Sequence, residues 1–332
     1  MNRPPSKRLF RDVVPRSGGD ACLYPQGSVA CIGAFDGLHL GHRALLRQTV
    51  ARARALGLPA VALTFEPLPR EFFARDGKPP RLMLARAKVE GLCEAGIDSV
   101  GLLRFDQSLA AMPAEDFVQR VLLERLAVRE VWVGQGFRFG RNRAGELSTL
   151  QAMGDARGFL AGAIEPVQLG GERVSSTRIR ELLAEGDFQA AAALLGAPYR
   201  IGGRVVRGSK LGRTLGFPTA NLRFGNRVPA LSGIYAARVH GVGGAPWPAV
   251  ASFGTRPTVD GGEPLLEAHL FDFDGDLYGR RIDVEFVARL RDEEKFPDLP
   301  SLVAQMHIDA AQARTALRKH SLQDTAPQRA TA

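Results

Sequence analysis

The chain has 332 residues, long for one globular domain, and its 45% hydrophobic and 24% charged content is ordinary for soluble proteins, with ample apolar material for a core in each half. Its formal net charge of +9 fits a polyanionic partner, either nucleic acid or the phosphates of a small nucleotide, or a plain solvated basic surface. Basic residues are spread along the whole chain, and the 7% aromatic content argues against a base-stacking nucleic-acid surface.

Three cysteines, Cys22, Cys31 and Cys93, lack CxxC spacing, which supports neither a disulfide framework nor a zinc site and predicts a reduced, cytoplasmic protein. Residues 1–28 lack the apolar stretch of a secretory signal, and no run approaches the roughly 20 apolar residues of a membrane span.

In chain order, residues 1–20 read as a frayed end. "SVACIGAF" (28–35) reads as a buried strand and "HRALLRQTVARARALG" as a helix ended by Gly57. "PAVALTF" (59–65), a helix across Leu82–Ala95, "DSVGLLRF" (98–105), a helix over 113–126 and "REVWVG" (129–134) follow. The alternation predicts a parallel sheet with helices on both faces, a Rossmann-like α/β domain over 15–187.

Past "LLGAPYR" (194–200) glycine and proline become frequent and strands alternate: "IGGRVVRG", "GIYAARVHG", "WPAVASFG", "LLEAHLFDF", "RIDVEFVARL". The pattern predicts an antiparallel β-barrel or sandwich over 188–320, closed by a helix over 298–319, with 321–332 a disordered tail. The sequence leaves the oligomeric state open.

The first dense signal is "CIGAFDGLHLGHRALL" (31–46), where two of only six histidines stand three residues apart. Ligands of parallel sheets sit outside the carboxyl ends of the strands. Gly33 and Gly37 allow a tight turn there, and Gly41 opens the next helix, whose unpaired N–H groups face an anion. His39 and His42 fall on one side of that turn and add donors to the same oxygens. With Phe35 and Asp36 the pattern is G-x-F-D-G-x-H-x-G-H. It resembles the HxGH nucleotidylyltransferases and, more closely, the bacterial bifunctional riboflavin kinase/FAD synthetases. The resemblance implies transfer of AMP from ATP to FMN, with His39 and His42 on the ATP phosphates.

"RVSSTRIRELL" (173–183) offers the hydroxyls of Ser176 and Thr177 at a helix start and the fixed charges of Arg173 and Arg180. Its place at the end of the first domain resembles the family's second phosphate-binding element. "TFEPLP" (64–69) and "VGQGFRFGRNRAGE" (133–146) resemble segments lining the flavin and adenine sites, which implies flavin contacts for Phe65, Pro67, Phe137 and Phe139. Phe137 and Phe139 suit simple core packing equally well. Gly136 stands where the family usually has Asn or Asp, and Leu68 where some members carry a polar residue.

The second dense signal is "GRVVRGSKLGRTLGFPTANLRF" (203–224), with Gly208, Gly212 and Gly216 spaced by four and Lys210 among them, a loop suited to pass over phosphates. No Walker A motif is present. The hydroxyl of Thr219 and the amide oxygen of Asn221 are hard ligands suited to Mg²⁺. The complete pattern resembles riboflavin kinases, and the resemblance implies that Glu267, in "LLEAHLFDFDGDLYG", is the general base on the ribityl 5′-hydroxyl. In a strand Glu267 and His269 share one face and Leu266 and Leu270 the other. Asp272, Asp274 and Asp276 lack the glycine of a calcium loop and read as a solvated turn. Arg256, in "SFGTRPTVDG", is a candidate for a phosphate contact or for the flavin side. The implied substrates are riboflavin, FMN and ATP with Mg²⁺ as cofactor, and neither nucleic acid nor membrane is expected as a partner.

Overall fold

In the first half, uninterrupted apolar runs become strands buried on both faces, as a parallel sheet sandwiched by helices requires. The computed structural model describes residues 8–11, 13–14, 21–75, 77–208, 211–225, 227–255 and 263–325. Six parallel strands form the first sheet: β1 (Arg8–Phe10), β2 (Ser28–Ile32), β3 (Ala60–Glu66), β4 (Ser99–Arg104), β5 (Val128–Gly134) and β6 (Leu160–Ile164). Their order is β1-β4-β3-β2-β5-β6, so the winding reverses between β2 and β5. That reversal is where a doubly wound sheet opens a ligand crevice.

The sheet is flanked by α1 (Leu40–Leu56), α2 (Pro69–Phe73), α3 (Ala85–Glu94), α4 (Gln107–Ala110), α5 (Ala114–Phe117) and α6 (Leu147–Arg157). After α5 the chain continues as a π-wound helix over Val118–Arg125. Gly57 ends α1 in the left-handed region at φ 64°, donating to Ala53 and Arg54, which is why that helix stops where the sequence places its stop. A short hairpin, β7 (Gln168–Leu169) and β8 (Glu172–Arg173), precedes α7 (Ser176–Glu185) and α8 (Phe188–Leu195).

The second half is a closed antiparallel barrel of β9 (Arg200–Val206), β10 (Ala220–Arg223), β11 (Gly233–His240), β12 (Trp247–Thr255), β13 (Pro264–Leu270) and β14 (Arg281–Arg291), in the order β10-β13-β12-β11-β14-β9. The short α9 (Leu211–Thr214) lies between β9 and β10, and α10 (Leu299–Thr325) packs on β11, β12 and β14. Ala313 and Leu317 of α10 are buried there with Ala236, Phe271 and Val287.

Two expectations about the ends are corrected. Residues 8–10 are not frayed: they pair in parallel with Ser99–Gly101, and Val13 behind them is 1% exposed. Three residues are too short to show a period, so their strand character comes from the partner edge. The final helix runs on to Thr325, so the first part of the expected tail is helical, while 326–332 lie outside the described residues. The described chain divides into two units, one running to Pro79 and resuming over Ala85–Ser176, the other made of Pro80–Leu84 and the part from Thr177 onward. Within the second unit Arg81 N donates to Val228 O at 2.8 Å and Tyr199 Oη to Leu82 O at 2.9 Å, which ties the inserted five residues to barrel segments.

Candidate active sites

In the first unit β2 ends at Ile32 and the chain turns through residues 33–39 before α1 begins. The turn is built from left-handed backbone at Phe35 (φ 49°), Gly37 (φ 89°) and Leu38 (φ 44°). Phe35 tolerates this because its ring is fully buried, and Gly33 makes room for it: a Cβ there would stand 3.0–3.2 Å from the Phe35 ring. His39 is the N-cap of α1, its Nδ1 accepting from His42 N at 3.3 Å. The two imidazoles stack at 3.7 Å between centroids and 17° between planes, and Phe35 meets His42 edge-on at 5.3 Å. Gly41 suits the same packing, since a Cβ there would lie 3.1 Å from His39 Cε1 and the ring would have to give way.

His42 Nδ1 is buried and has no hydrogen-bond partner. Burial, then the neighbouring charges of His39 and Lys88, push the His42 imidazole well below the usual range, so it is neutral at pH 7. The first turn of α1 carries no acidic residue to oppose an anion at the helix N-terminus. Ser176 Oγ donates to the carbonyl of the buried Asp36 at 2.9 Å, and Val174 O lies 3.7 Å from a Cβ built on Gly41. The hydroxyl-rich segment is thereby brought onto the histidine turn across more than a hundred residues. Arg173 is exposed on the hairpin, its guanidinium 3.5 Å from Gln135 O. Thr177 and Arg180 fall in the second unit, where Arg180 Nε donates to Pro80 O.

Of the expected flavin-side residues, Phe65 is the penultimate residue of β3 and meets Phe105 at 5.8 Å, and Pro67 follows a cis peptide bond from Glu66. Phe139 is 9% exposed within the first unit's core, next to Phe117, while the partly buried Phe137 stacks on it at 5.6 Å. Leu68 is buried at the start of α2. Gly136 has φ 78° with nothing within 4 Å of a Cβ, a conformation that Asn and Asp also adopt.

In the second unit the barrel register sets Asn221 opposite Glu267, and Ser252 opposite Glu267 from the other side. Alternation then buries Leu266, Ala268 and Leu270 inside the barrel and turns Glu267 and His269 to the other face. Thr219 Oγ1 donates to Glu267 Oε1 at 3.4 Å, and Asn221 Nδ2 donates to Thr219 O at 3.1 Å and Thr219 Oγ1 at 3.3 Å. Asn221 Oδ1 is buried without a partner, which costs about 1–3 kcal/mol unless a ligand satisfies it.

Gly208 is part of the same cluster: a Cβ there would lie 2.8 Å from Asn221 Oδ1. Gly212 lies against Phe217 O, and Gly216 turns at φ 82° with open space around it. Lys210 and Arg256 lie outside the described residues. Asp272 pairs with Arg314 and Asp276 caps Tyr278 N, so these acids are engaged as a turn. Among the described residues no group of three His, Cys, Asp or Glu side chains is placed to hold a metal ion.

Two residues at these sites had no role assigned from the sequence. His269 Nδ1 lies 2.9 Å from Pro218 O, bracing the turn that carries Thr219, and burial lowers its pKa. Lys88 is 1% exposed beside the histidine turn. A lysine four residues before the buried Leu92, on the apolar face of α3, is the signal that marks it.

A family model described as FAD synthetase matches residues 23–178, and one described as riboflavin kinase matches residues 195–317. A bifunctional riboflavin kinase/FMN adenylyltransferase of Pseudomonas fluorescens is 46% identical over 87% of this chain and 93% of its own length. The protein of the same name from Escherichia coli K12 is 44% identical over 87% of this chain and 92% of its own. A crystal structure described as a macrolide-efflux protein from Streptococcus pneumoniae is similar with a TM-score of 0.73 at 29% identity, covering 92% of this chain and 98% of that one. Among the described residues of this chain, no helix is long and apolar enough to cross a membrane.

Proposed function

The chain belongs to the bifunctional riboflavin kinase/FMN adenylyltransferases, and we infer from this that it phosphorylates riboflavin to FMN and adenylylates FMN to FAD, each time at the expense of ATP. The observation that carries the reading is that each half folds its own motif into a polar cluster. The histidine turn gathers with Ser176 in the first unit, and Thr219, Asn221 and Glu267 gather in the barrel.

In the kinase half, Glu267 accepts the proton of the ribityl 5′-hydroxyl as that oxygen attacks the γ-phosphorus and ADP leaves. A positioned general base of this kind is worth about 10²–10⁴ in rate. Gly208, Gly212 and Gly216 let the chain pass close to the phosphates, and the sequence supplies Lys210 and Arg256 as candidate cations for the substrates. Thr219 Oγ1 and the unpartnered Asn221 Oδ1 fit Mg²⁺ as hard oxygen donors, and among the described residues no group of three carboxylates is placed to hold the ion without phosphate. When bound, Mg²⁺ neutralises charge on the transferring phosphoryl group.

In the adenylyl half, a phosphate oxygen of FMN attacks the α-phosphorus of ATP and pyrophosphate leaves. FMN is already ionised, so no base is needed, and the task is to stabilise charge on the phosphates. The neutral His42 contributes one N–H, stacked His39 a second donor, and the N-terminus of α1 with Gly41 the main-chain N–H groups. Gly33, Phe35, Asp36 and Gly37 shape the turn, and Arg173 and Ser176 of the same unit add donors for the triphosphate. Phe65, Pro67 and Phe137 form the flavin side, with Phe139 supporting Phe137 from the core. The protein acts on small molecules in the cytoplasm, in keeping with cysteines that form no disulfide among the described residues.

Chromatography of the products made from riboflavin, ATP and Mg²⁺ tests both halves at once. The wild type gives FMN and then FAD. His42→Ala accumulates FMN and makes little FAD, while Glu267→Gln leaves riboflavin untouched yet still converts added FMN. Undiminished FAD formation by His42→Ala, or undiminished FMN formation by Glu267→Gln, refutes the corresponding role.

A further inference from the structure

Cap and stacking orient the two imidazoles on α1, but the turn that carries them must also be fixed to the sheet. Lys88 of α3 is 1% exposed, and an ammonium so enclosed carries a large desolvation penalty unless it is paired. Its Nζ donates to Ala34 O at 3.2 Å and to Phe65 O at 3.0 Å. Ala34 follows β2 and Phe65 lies at the end of β3, so one side chain joins the C-terminal ends of two adjacent parallel strands. Thr64 Oγ1 donates to the same Ala34 carbonyl at 3.2 Å. The plane of the Ala34–Phe35 peptide is thereby held from two sides. Rotation about the next bond sets the left-handed φ of 49° at Phe35, whose ring meets His42.

We propose that Lys88 is a positioning residue for adenylyl transfer: its buried ammonium clamps the Ala34 and Phe65 carbonyls and so holds the Phe35 turn against which His42 rests. The proposal depends on the reading of this turn as the adenylyl-transfer site. Lys88 also acts on His42 through space, because the charged groups that oppose protonation of His42 are His39 and Lys88. A cation behind the turn thus adds positive potential toward the phosphates while keeping the imidazole neutral.

Lys88→Met, Lys88→Gln and Thr64→Val in the full chain test this, with thermal melts and far-ultraviolet circular dichroism of the same samples reporting that the first unit is folded. In Lys88→Met the kcat for FAD formation from FMN and ATP falls by about 10- to 100-fold, the scale of a small misplacement at a reacting centre. The acid limb of its kcat/KM profile moves to higher pH, because His42 protonates more readily once the neighbouring cation is gone. Thr64→Val removes the uncharged donor, so it loses less activity and leaves that limb in place. Should Lys88→Met not fold, Lys88→Gln carries the test: it keeps an N–H donor without the charge, and gives partial activity with the limb displaced. A folded Lys88 variant with wild-type kcat/KM and an unmoved acid limb overturns the proposal. Absence of FAD from the wild type overturns the assignment of the site instead.

Discussion

Gly208→Ala is the sharpest test of the barrel site, because the structure states what the added methyl meets. A Cβ at this position would stand 2.8 Å from Asn221 Oδ1, 2.9 Å from its Cγ and 3.0 Å from its Nδ2. Ordinary contact begins near 3.4 Å, so the amide must retreat by roughly half an ångström, and Asn221 is only 5% exposed. Its bonds to Thr219, at 3.1 and 3.3 Å, have little length to spare before they cease to be hydrogen bonds. Overpacking of this kind costs about 1–3 kcal/mol. A displaced ligand at a reacting centre lowers turnover by up to about 10²-fold. We expect riboflavin phosphorylation to fall by about 10- to 100-fold while adenylylation of supplied FMN is retained, both followed by chromatography of the flavins. Removing the obstacle in Gly208→Ala/Asn221→Ala restores the melting temperature toward the wild type but not the kinase activity. Wild-type kinase turnover in Gly208→Ala refutes the contact between Gly208 and Asn221 as a functional constraint.

Gly41→Ala pushes a Cβ to within 3.1 Å of the His39 ring, so it disturbs the α1 cap at a cost of about 0.5–2 kcal/mol and impairs FAD formation while FMN formation persists. Thermal melts with separate assays of the two reactions check this. Gly136→Asn meets open space and a backbone angle that Asn tolerates, so its melting temperature stays close to the wild type. A large fall would refute the open space around this turn.

The folded chain holds His42 well below the ordinary imidazole range, so below about pH 6.5 the unfolded chain binds a proton that the folded chain refuses. Stability therefore declines as pH drops from about 6.5 toward the depressed folded value, and His42→Asn shows a smaller loss of melting temperature between pH 7.5 and 5.5. An equal loss in both proteins removes the linkage.

The helix and strand periods before and after residue 190 differ because parallel strands covered on both faces need unbroken apolar runs, whereas barrel strands alternate. The histidine turn was legible for a similar reason. Its glycines, cap and helix start lie within ten residues, and local geometry follows from local chemistry. The Asn221–Thr219 contact was legible too, since only two residues separate them.

Lys88 was harder to read, because a lysine in a helix is ordinarily solvated, and only the ends of β2 and β3 turn it into a buried clamp. β1 escaped notice because three residues carry no period and acquire strand character only from the edge of β4. Phe137 and Phe139 suited either core or ligand, and the structure buries the second and leaves the first partly open.

By itself, then, the amino-acid order determined the two-part organisation, the strand–turn–helix that presents His39 and His42, and the glycine-spaced loop leading to Thr219 and Asn221. Tertiary structure alone decided between sandwich and barrel, because closure depends on β9 meeting β10 and β14. It also decided that residues 80–84 leave the first unit for the second, and that Ser176 reaches the Asp36 carbonyl. These are pairings between residues far apart in the chain, and no local pattern encodes a partner that only folding brings near.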